Sequence, residues 1–159
     1  MSPMIYYTTL SRYIEEHPGS LEEVKNQYLY LLSHLTATYE LDTQFFFHQV
    51  MNISLTGEIA VAYVVEEETK HDLIVGTGTV IYEPKLIHGG QYVGHIEDIV
   101  VLPEYRGQGI ADTLIGILME WAIKKDCYKV ILDCDPRLCK VYAKSGMEKR
   151  GVQMAKYFA

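Results

Sequence analysis

At 159 residues the chain has one domain's length, enough to bury a core without disulfide or metal staples and too short for a second. Hydrophobic residues at 48%, charged residues at 22% and a mean hydropathy of -0.01 exclude wholesale disorder, collagen-like repeats and coiled coil. With 14 Lys+Arg against 21 Asp+Glu the formal net charge is -7, which argues against nucleic acid as a partner.

The longest apolar stretches, such as Ile59 to Val65 and Ile96 to Leu102, fall far short of the roughly 20 residues a membrane helix needs, so no membrane partner is expected. The start, Met1 to Tyr7, has neither a basic opening nor a sustained apolar run. No secretory signal is visible, and the cytosol is the expected compartment. Cys127, Cys134 and Cys139 are odd in number and lack C-x-x-C spacing, which suits reduced thiols and no metal site. No repeat or linker interrupts the chain, so residues 1–159 read as a single domain.

In chain order, the first signal is the Pro18-Gly19 break. After it, Ser20 and Glu23 stand at capping-box spacing and predict a helix start. Leu21, Val24, Tyr28, Leu31, Leu32 and Leu35 share one helical face, so this helix is expected to end near Thr36. A shorter helix is expected over Thr43 to Met51. From Gly57 the pattern alternates: Ile59 to Val65, a polar turn at Glu66 to Asp72 and Leu73 to Ile81 predict an antiparallel hairpin. The loop Glu83 to Gly90 leads to Tyr92 to Leu102, an apolar run read as a central strand buried on both faces. Ile110 to Lys125, with Leu114, Ile117, Leu118, Trp121 and Ala122 at helical spacing, then Lys129 to Cys134, complete a β-α-β unit. Pro136 opens a short helix to Lys144, Gly146 ends it, and Val152 to Phe158 is expected as a last strand. The fold class is α/β, a mixed, mostly antiparallel central sheet flanked by helices.

Arg106-Gly107-Gln108-Gly109-Ile110-Ala111 lies between the expected central strand and the long helix. Two glycines permit positive φ and close backbone approach, and the unpaired N–H groups of the helix start attract phosphate oxygens. Alone, such a turn is equally a structural connection. No Gly-Lys-Ser/Thr follows, which excludes a Walker loop, and the third glycine of a dinucleotide fingerprint is missing. Glu97 and Asp98 are adjacent on a strand, so regular alternation points them to opposite faces and gives them separate roles. Carboxylates within an apolar strand need partners, so function and a structural ion pair both remain open.

Glu97-Asp98-Ile99-Val100-Val101 followed by Tyr105 to Ala111 resembles the acetyl-CoA motif of the GNAT acyltransferase superfamily. His95 to Val101, Cys127 to Cys134 and Val141 to Gly146 together resemble the glucosamine 6-phosphate N-acetyltransferase family, from about Lys85 to Phe158. Ala111, Ser145, Met147 and the Pro136-Arg137-Leu138-Cys139 segment depart from that family's usual residues. The resemblance implies the GNAT fold and acetyl-CoA as cosubstrate. The backbone of Ile99, Val100, Val101 and Leu102 would hold the pantetheine and acetyl group. Gly107, Gln108, Gly109, Ile110, Ala111 and Asp112 would wrap the pyrophosphate, with Arg106 a candidate phosphate partner.

It also implies that Glu97 and Asp98 bind the amino sugar and help deprotonate its amine, that Asp133 lies near the sugar, and that Tyr142 stands near the coenzyme sulfur as a general acid. A helix-capping role for Asp133 and a core role for Tyr142 are the plainer readings. Lys85, Leu86, Ile87 and His88 would contact the sugar phosphate, Thr36 the substrate, and Lys156 a phosphate. The implied reaction is direct acetyl transfer from acetyl-CoA to the 2-amino group of glucosamine 6-phosphate, in amino-sugar synthesis. No cysteine lies on the motif strand to form an acetyl-enzyme. The implied active unit is a homodimer, with the C-terminal strand presenting Lys156 to the partner's site. A GNAT enzyme acting on a polyamine or a protein N-terminus, and a non-catalytic acyl-CoA-binding module, are the alternatives.

Overall fold

The computed structural model describes residues 3–17 and 19–158; Pro18 of the expected Pro18-Gly19 break lies outside them. Two elements precede anything the periodicity predicts: strand β1 (Tyr6–Thr9) and helix α1 (Leu10–Glu16). Thr9 ends the strand and caps the helix, its hydroxyl oxygen accepting the Arg12 N–H. Leu10 and Tyr13 enter the core from this helix.

Helix α2 (Leu21–Leu32) starts at the predicted capping box, where Ser20 Oγ accepts the Glu23 N–H at 3.1 Å. Val24, Tyr28 and Leu31 are buried along one face. The helix stops at Leu32 rather than near Thr36, and Leu35 is exposed. The reason is local: His34 and Leu35 donate to carbonyls three residues back, tightening the chain out of the α ladder. Helix α3 (Thr43–Thr56) begins where expected, with the Asp42 carboxylate accepting the N–H groups of Gln44 and Phe45, and continues past Met51.

The hairpin forms as predicted from β2 (Gly57–Val65) and β3 (Asp72–Pro84). Strand β4 (Tyr92–Val101), helix α4 (Ile110–Lys124) and strand β5 (Cys127–Ile131) make the parallel β-α-β crossover. The sheet order is β1-β2-β3-β4-β5, antiparallel except for β4 and β5, which bears out a mixed, mostly antiparallel sheet. The central strand is β3, buried from Ile74 to Val80, and not β4. Nor is β4 buried on both faces throughout, because Glu97 and Asp98 are exposed. One 3-10 turn, Pro136–Leu138, precedes the short helix α5 (Cys139–Ala143).

Val152 to Phe158 forms no strand in this chain; the segment is exposed and irregular. A β-capable stretch becomes a strand only when it pairs along a sheet edge, and this one pairs with none of the five strands.

Helix α4 lies on β3 at unusually close range. A Cβ on Gly76 would stand 3.0 Å from Ile110 Cγ2, and one on Gly78 would stand 3.0 Å from Leu118 Cδ1. The two glycines thus set the height of α4, and of the turn that enters it, above the sheet. At Gly57 the contact is backbone: a Cβ would lie 2.1 Å from the Val80 carbonyl oxygen. Gly57→Ala is therefore expected to destabilise the fold by about 1–3 kcal/mol or more through overpacking. Urea unfolding of the variant checks it, and an unchanged midpoint would contradict it.

Candidate active site

The site is built on one irregularity of β4. Against β3, Thr77 pairs with Val100 and Thr79 with Glu97, so β4 spends one residue more than β3 over this stretch. Asp98 has φ 52, in the left-handed region, and marks the bulge. The ladder from β4 to β5 ends just before it, at His95 opposite Ile131. From Ile96 to Val101, β4 thus has no strand on its β5 side among the described residues, and its N–H and C=O groups on that edge, the Val101 carbonyl apart, are open to an extended ligand.

The bulge changes what the two carboxylates do. The alternation that separates Glu97 from Asp98 in a regular strand does not run through a residue at φ 52. Both side chains are exposed on the open half of β4. The protein around it still strips part of the water from Glu97, and this partial desolvation raises its carboxyl above the usual glutamate range; the charges of Asp98 and Asp133 raise it further, against a smaller lowering by His95. Three carboxylates therefore share one field. Asp98 also bears on Tyr28 of α2, whose phenol is pushed up to about 12, mainly by burial. The Thr77 hydroxyl donates to Ala60 O at 2.9 Å, so its bond to the Tyr28 hydroxyl, at 3.0 Å, is donated by Tyr28.

Toward the start of β4, His95 Nε2 lies 2.6 Å from Glu83 Oε2, and Glu83 Oε1 accepts from Lys85 Nζ at 2.7 Å. Lys85 and His95 together hold the Glu83 carboxyl below its usual range. The His88 ring stacks on Tyr128 of β5, with centroids 3.9 Å apart, while Leu86 and Ile87 stand exposed. His95 precedes Glu97 by two positions, about 7 Å along a strand, so the Lys85 network sits next to the carboxylates.

At the other end of β4 comes the glycine turn. Gly107 and Gly109 both have φ 79, and a Cβ on either would meet nothing within 4 Å. Gly109 caps α4 without a side chain, and the first helical bond is Thr113 N–H to Gly109 O at 3.0 Å. The N–H groups of Ile110, Ala111 and Asp112 consequently have no helical acceptor and face the turn. These features fit a pyrophosphate. Arg106 Nε donates to Val101 O at 3.2 Å and ties the turn to the strand end. The Leu102 N–H is bonded to Val75 O of β3 at 2.8 Å, which carries the β3 side of the pairing one residue beyond Val101. A cavity of about 560 Å³ brings Leu102 and Gln108 together with Tyr30, Glu104 and Tyr105.

Tyr142 is half-buried in α5, and burial, followed by the nearby Cys134, raises its phenol above the usual range. Asp133 Oδ2 accepts from Gln153 Nε2 at 3.0 Å, which lays the C-terminal segment beside it. Asp135, rather than Asp133, caps the turn at Pro136. Thr36 lies in the exposed bend after α2, and Lys156 is exposed in the C-terminal segment; neither is joined to the β4 carboxylates by a hydrogen bond among the described residues. Glu83, His95, Tyr28 and Gln153 are site neighbours that the motif reading did not single out. His95 stood within a quoted motif, whereas the other three become neighbours only through folding.

The sequence model of the acetyltransferase (GNAT) family matches residues 22–147. The chain belongs to that family. It is 40% identical to a probable glucosamine 6-phosphate N-acetyltransferase 2 of Oryza sativa subsp. japonica, over 80% of this chain and 78% of the relative. Identity to the glucosamine 6-phosphate N-acetyltransferase of Candida albicans is 37%, over 84% of this chain and 89% of the relative. The crystal structure of glucosamine-6-phosphate N-acetyltransferase from Arabidopsis thaliana superposes with a TM-score of 0.81 at 28% identity, covering 98% of this chain and 99% of that one. Members of the GNAT family use acetyl-CoA as cosubstrate, and the open edge of β4 leading into free helix-start amides suits that molecule's length and charge.

Gly107→Val and Gly109→Val should each weaken coenzyme A binding at least tenfold with the fold retained, since each forces a β-branched residue into left-handed backbone beside the phosphates. Titration calorimetry with circular dichroism checks this. Unchanged affinity in a folded variant would remove the turn from the site.

Proposed function

We propose that this enzyme transfers the acetyl group of acetyl-CoA to the 2-amino group of glucosamine 6-phosphate, giving N-acetylglucosamine 6-phosphate and coenzyme A. The observation that carries the reading is the order of features along β4. The Lys85 and His88 loop, the carboxylates, the open strand edge and the glycine turn follow one another as a sugar phosphate, its amine, a thioester and a pyrophosphate would. Relatives bearing that activity in their names, matched over most of their length, support it.

In this reading Glu97, directly or through water, takes a proton from the amine so that its lone pair can attack the thioester carbonyl. The raised Glu97 carboxyl is better matched to that transfer than an ordinary glutamate. Asp98 and Asp133 hold the sugar, and amides on the open edge of β4 stabilise the negative charge that develops on the carbonyl oxygen. Tyr142, kept protonated by its burial, gives its proton to the departing sulfur. The carbon–nitrogen bond forms and the carbon–sulfur bond breaks on the same carbonyl carbon, one proton leaves nitrogen and one reaches sulfur, and the direct transfer balances. Ile99, Val100 and Val101 run beside the pantetheine. Lys85 and His88 face the sugar phosphate, with Leu86, Ile87 and Thr36 around the substrate.

The active unit in this reading is a homodimer. Val152, Met154, Tyr157 and Phe158 are between 87% and 93% exposed, an apolar surface that a second copy would cover while presenting Lys156 to its neighbour's phosphate. A monomer by sedimentation at assay concentration would contradict it.

Substrate preference and pH dependence test the chemistry together. kcat/KM should be far higher for glucosamine 6-phosphate than for glucosamine, because the phosphate gains charge-assisted hydrogen bonds. The acid limb of kcat/KM should lie above the ordinary glutamate range, since a raised carboxyl stays protonated, and unable to accept, to higher pH. Asp98→Asn removes a neighbouring negative charge and should move that limb to lower pH. Equal kcat/KM for both sugars, or activity on polyamines alone, would overturn the substrate; an unmoved limb in Asp98→Asn would overturn the base.

A further inference from the structure

Two of the three cysteines meet beside the helix that carries Tyr142. Cys134 follows β5 and Cys139 opens α5, and their Sγ atoms lie 4.0 Å apart. Both are half-buried and so within reach of small solutes. Their spacing is not C-x-x-C, yet the intervening turn brings them together. Leu138 N–H bonds to Asp135 O at 2.8 Å, and the Asp135 carboxylate holds both the backbone and the guanidinium of Arg137. A disulfide requires about 2.05 Å between sulfurs, so closing the gap takes a movement on the order of 2 Å, within reach of side-chain rotation and a small shift of a short helix.

We propose that Cys134 and Cys139 form an oxidisable dithiol that closes reversibly to a disulfide and, in closing, displaces Tyr142 and slows acetyl transfer. The disulfide stands on the geometry alone; its effect on turnover rests on the role given to Tyr142 above. The oxidant is a low-molecular-weight disulfide. One cysteine thiolate attacks it, forming a mixed disulfide and releasing one small thiol. The second cysteine thiolate then attacks the protein sulfur of that mixed disulfide and expels the other small thiol. Two cysteine S–H groups and one small disulfide become one protein S–S bond and two small thiols. Burial, followed by the neighbouring Cys139, raises the Cys134 thiol, which lowers its thiolate fraction and slows its attack on an oxidant.

The link to Tyr142 is short. Tyr142 lies three residues after Cys139 in a helix of only five residues, on the same face, and Cys134 is close enough to influence its phenol. A bond between the two sulfurs draws the first turn of that helix toward the end of β5.

The experiment incubates the full chain with oxidised glutathione, then measures free thiols, intact mass and the single-turnover rate with acetyl-CoA and glucosamine 6-phosphate. Free thiols are expected to fall from 3 to one. The mass should drop by two hydrogens with no glutathione retained, and the rate should fall at least tenfold and recover in dithiothreitol. Cys139→Val and Cys134→Ser should each keep the reduced rate and abolish both the disulfide and the inhibition, while Cys127→Ser should change neither. Three thiols surviving the oxidant, a lasting glutathione adduct, or an undiminished rate in the closed form would each overturn the proposal. If the reduced protein fails to acetylate the sugar, the functional reading falls, while the thiol count and mass still decide the disulfide.

Discussion

One extra residue in β4 governs the site. Where Thr77 to Thr79 of β3 face Glu97 to Val100 of β4, the surplus is taken up at Asp98, in left-handed backbone. A bulge strengthens the local twist and bends its strand, and the β5 ladder stops immediately before it, at His95. The same distortion opens the main-chain edge and brings Glu97 and Asp98 into one field with Asp133. In the proposed reading, coenzyme groove and base are thus two consequences of a single backbone event. An aspartate at positive φ costs of order 1 kcal/mol or more, which the hydrogen-bonded sheet around it sustains.

The rest of the fold fixes what the bulge exposes. Gly76 and Gly78 let α4 press onto β3, so the helix start with its free amides is held at the end of the open edge. Arg106 pins the intervening turn to Val101. On the other side, Tyr28 and Thr77 join α2 to the sheet behind Asp98 through the chain of hydrogen bonds that ends on Ala60. The Glu83 carboxylate bridges His95 and Lys85 and so ties the loop before β4 to the strand beside the carboxylates.

Much of this was legible in the sequence because it is local. The Ser20 cap, the alternating hairpin, the helical face of α4 and the glycine turn each depend on residues within a few positions of one another. The bulge was not legible, because it is a mismatch between two strands and neither strand's pattern records it. Strand β1 is four residues long, too short to show a period, and it gains its partner only against β2. Val152 to Phe158 has strand composition without a strand neighbour, so composition misled there. Glu83 and Gln153 reach the site from 12 and 20 residues away, from His95 and Asp133 respectively, distances at which spacing carries no signal.

Amide hydrogen exchange with and without acetyl-CoA tests the central claim most directly, because it reads the backbone groups that the bulge is held to release. Coenzyme should slow exchange in peptides spanning Ile99 to Val101 and Gly107 to Asp112, while β2 and the buried centre of β3 stay unchanged. Binding that leaves both segments unprotected and slows exchange elsewhere would show that the open edge of β4 is not where the coenzyme lies.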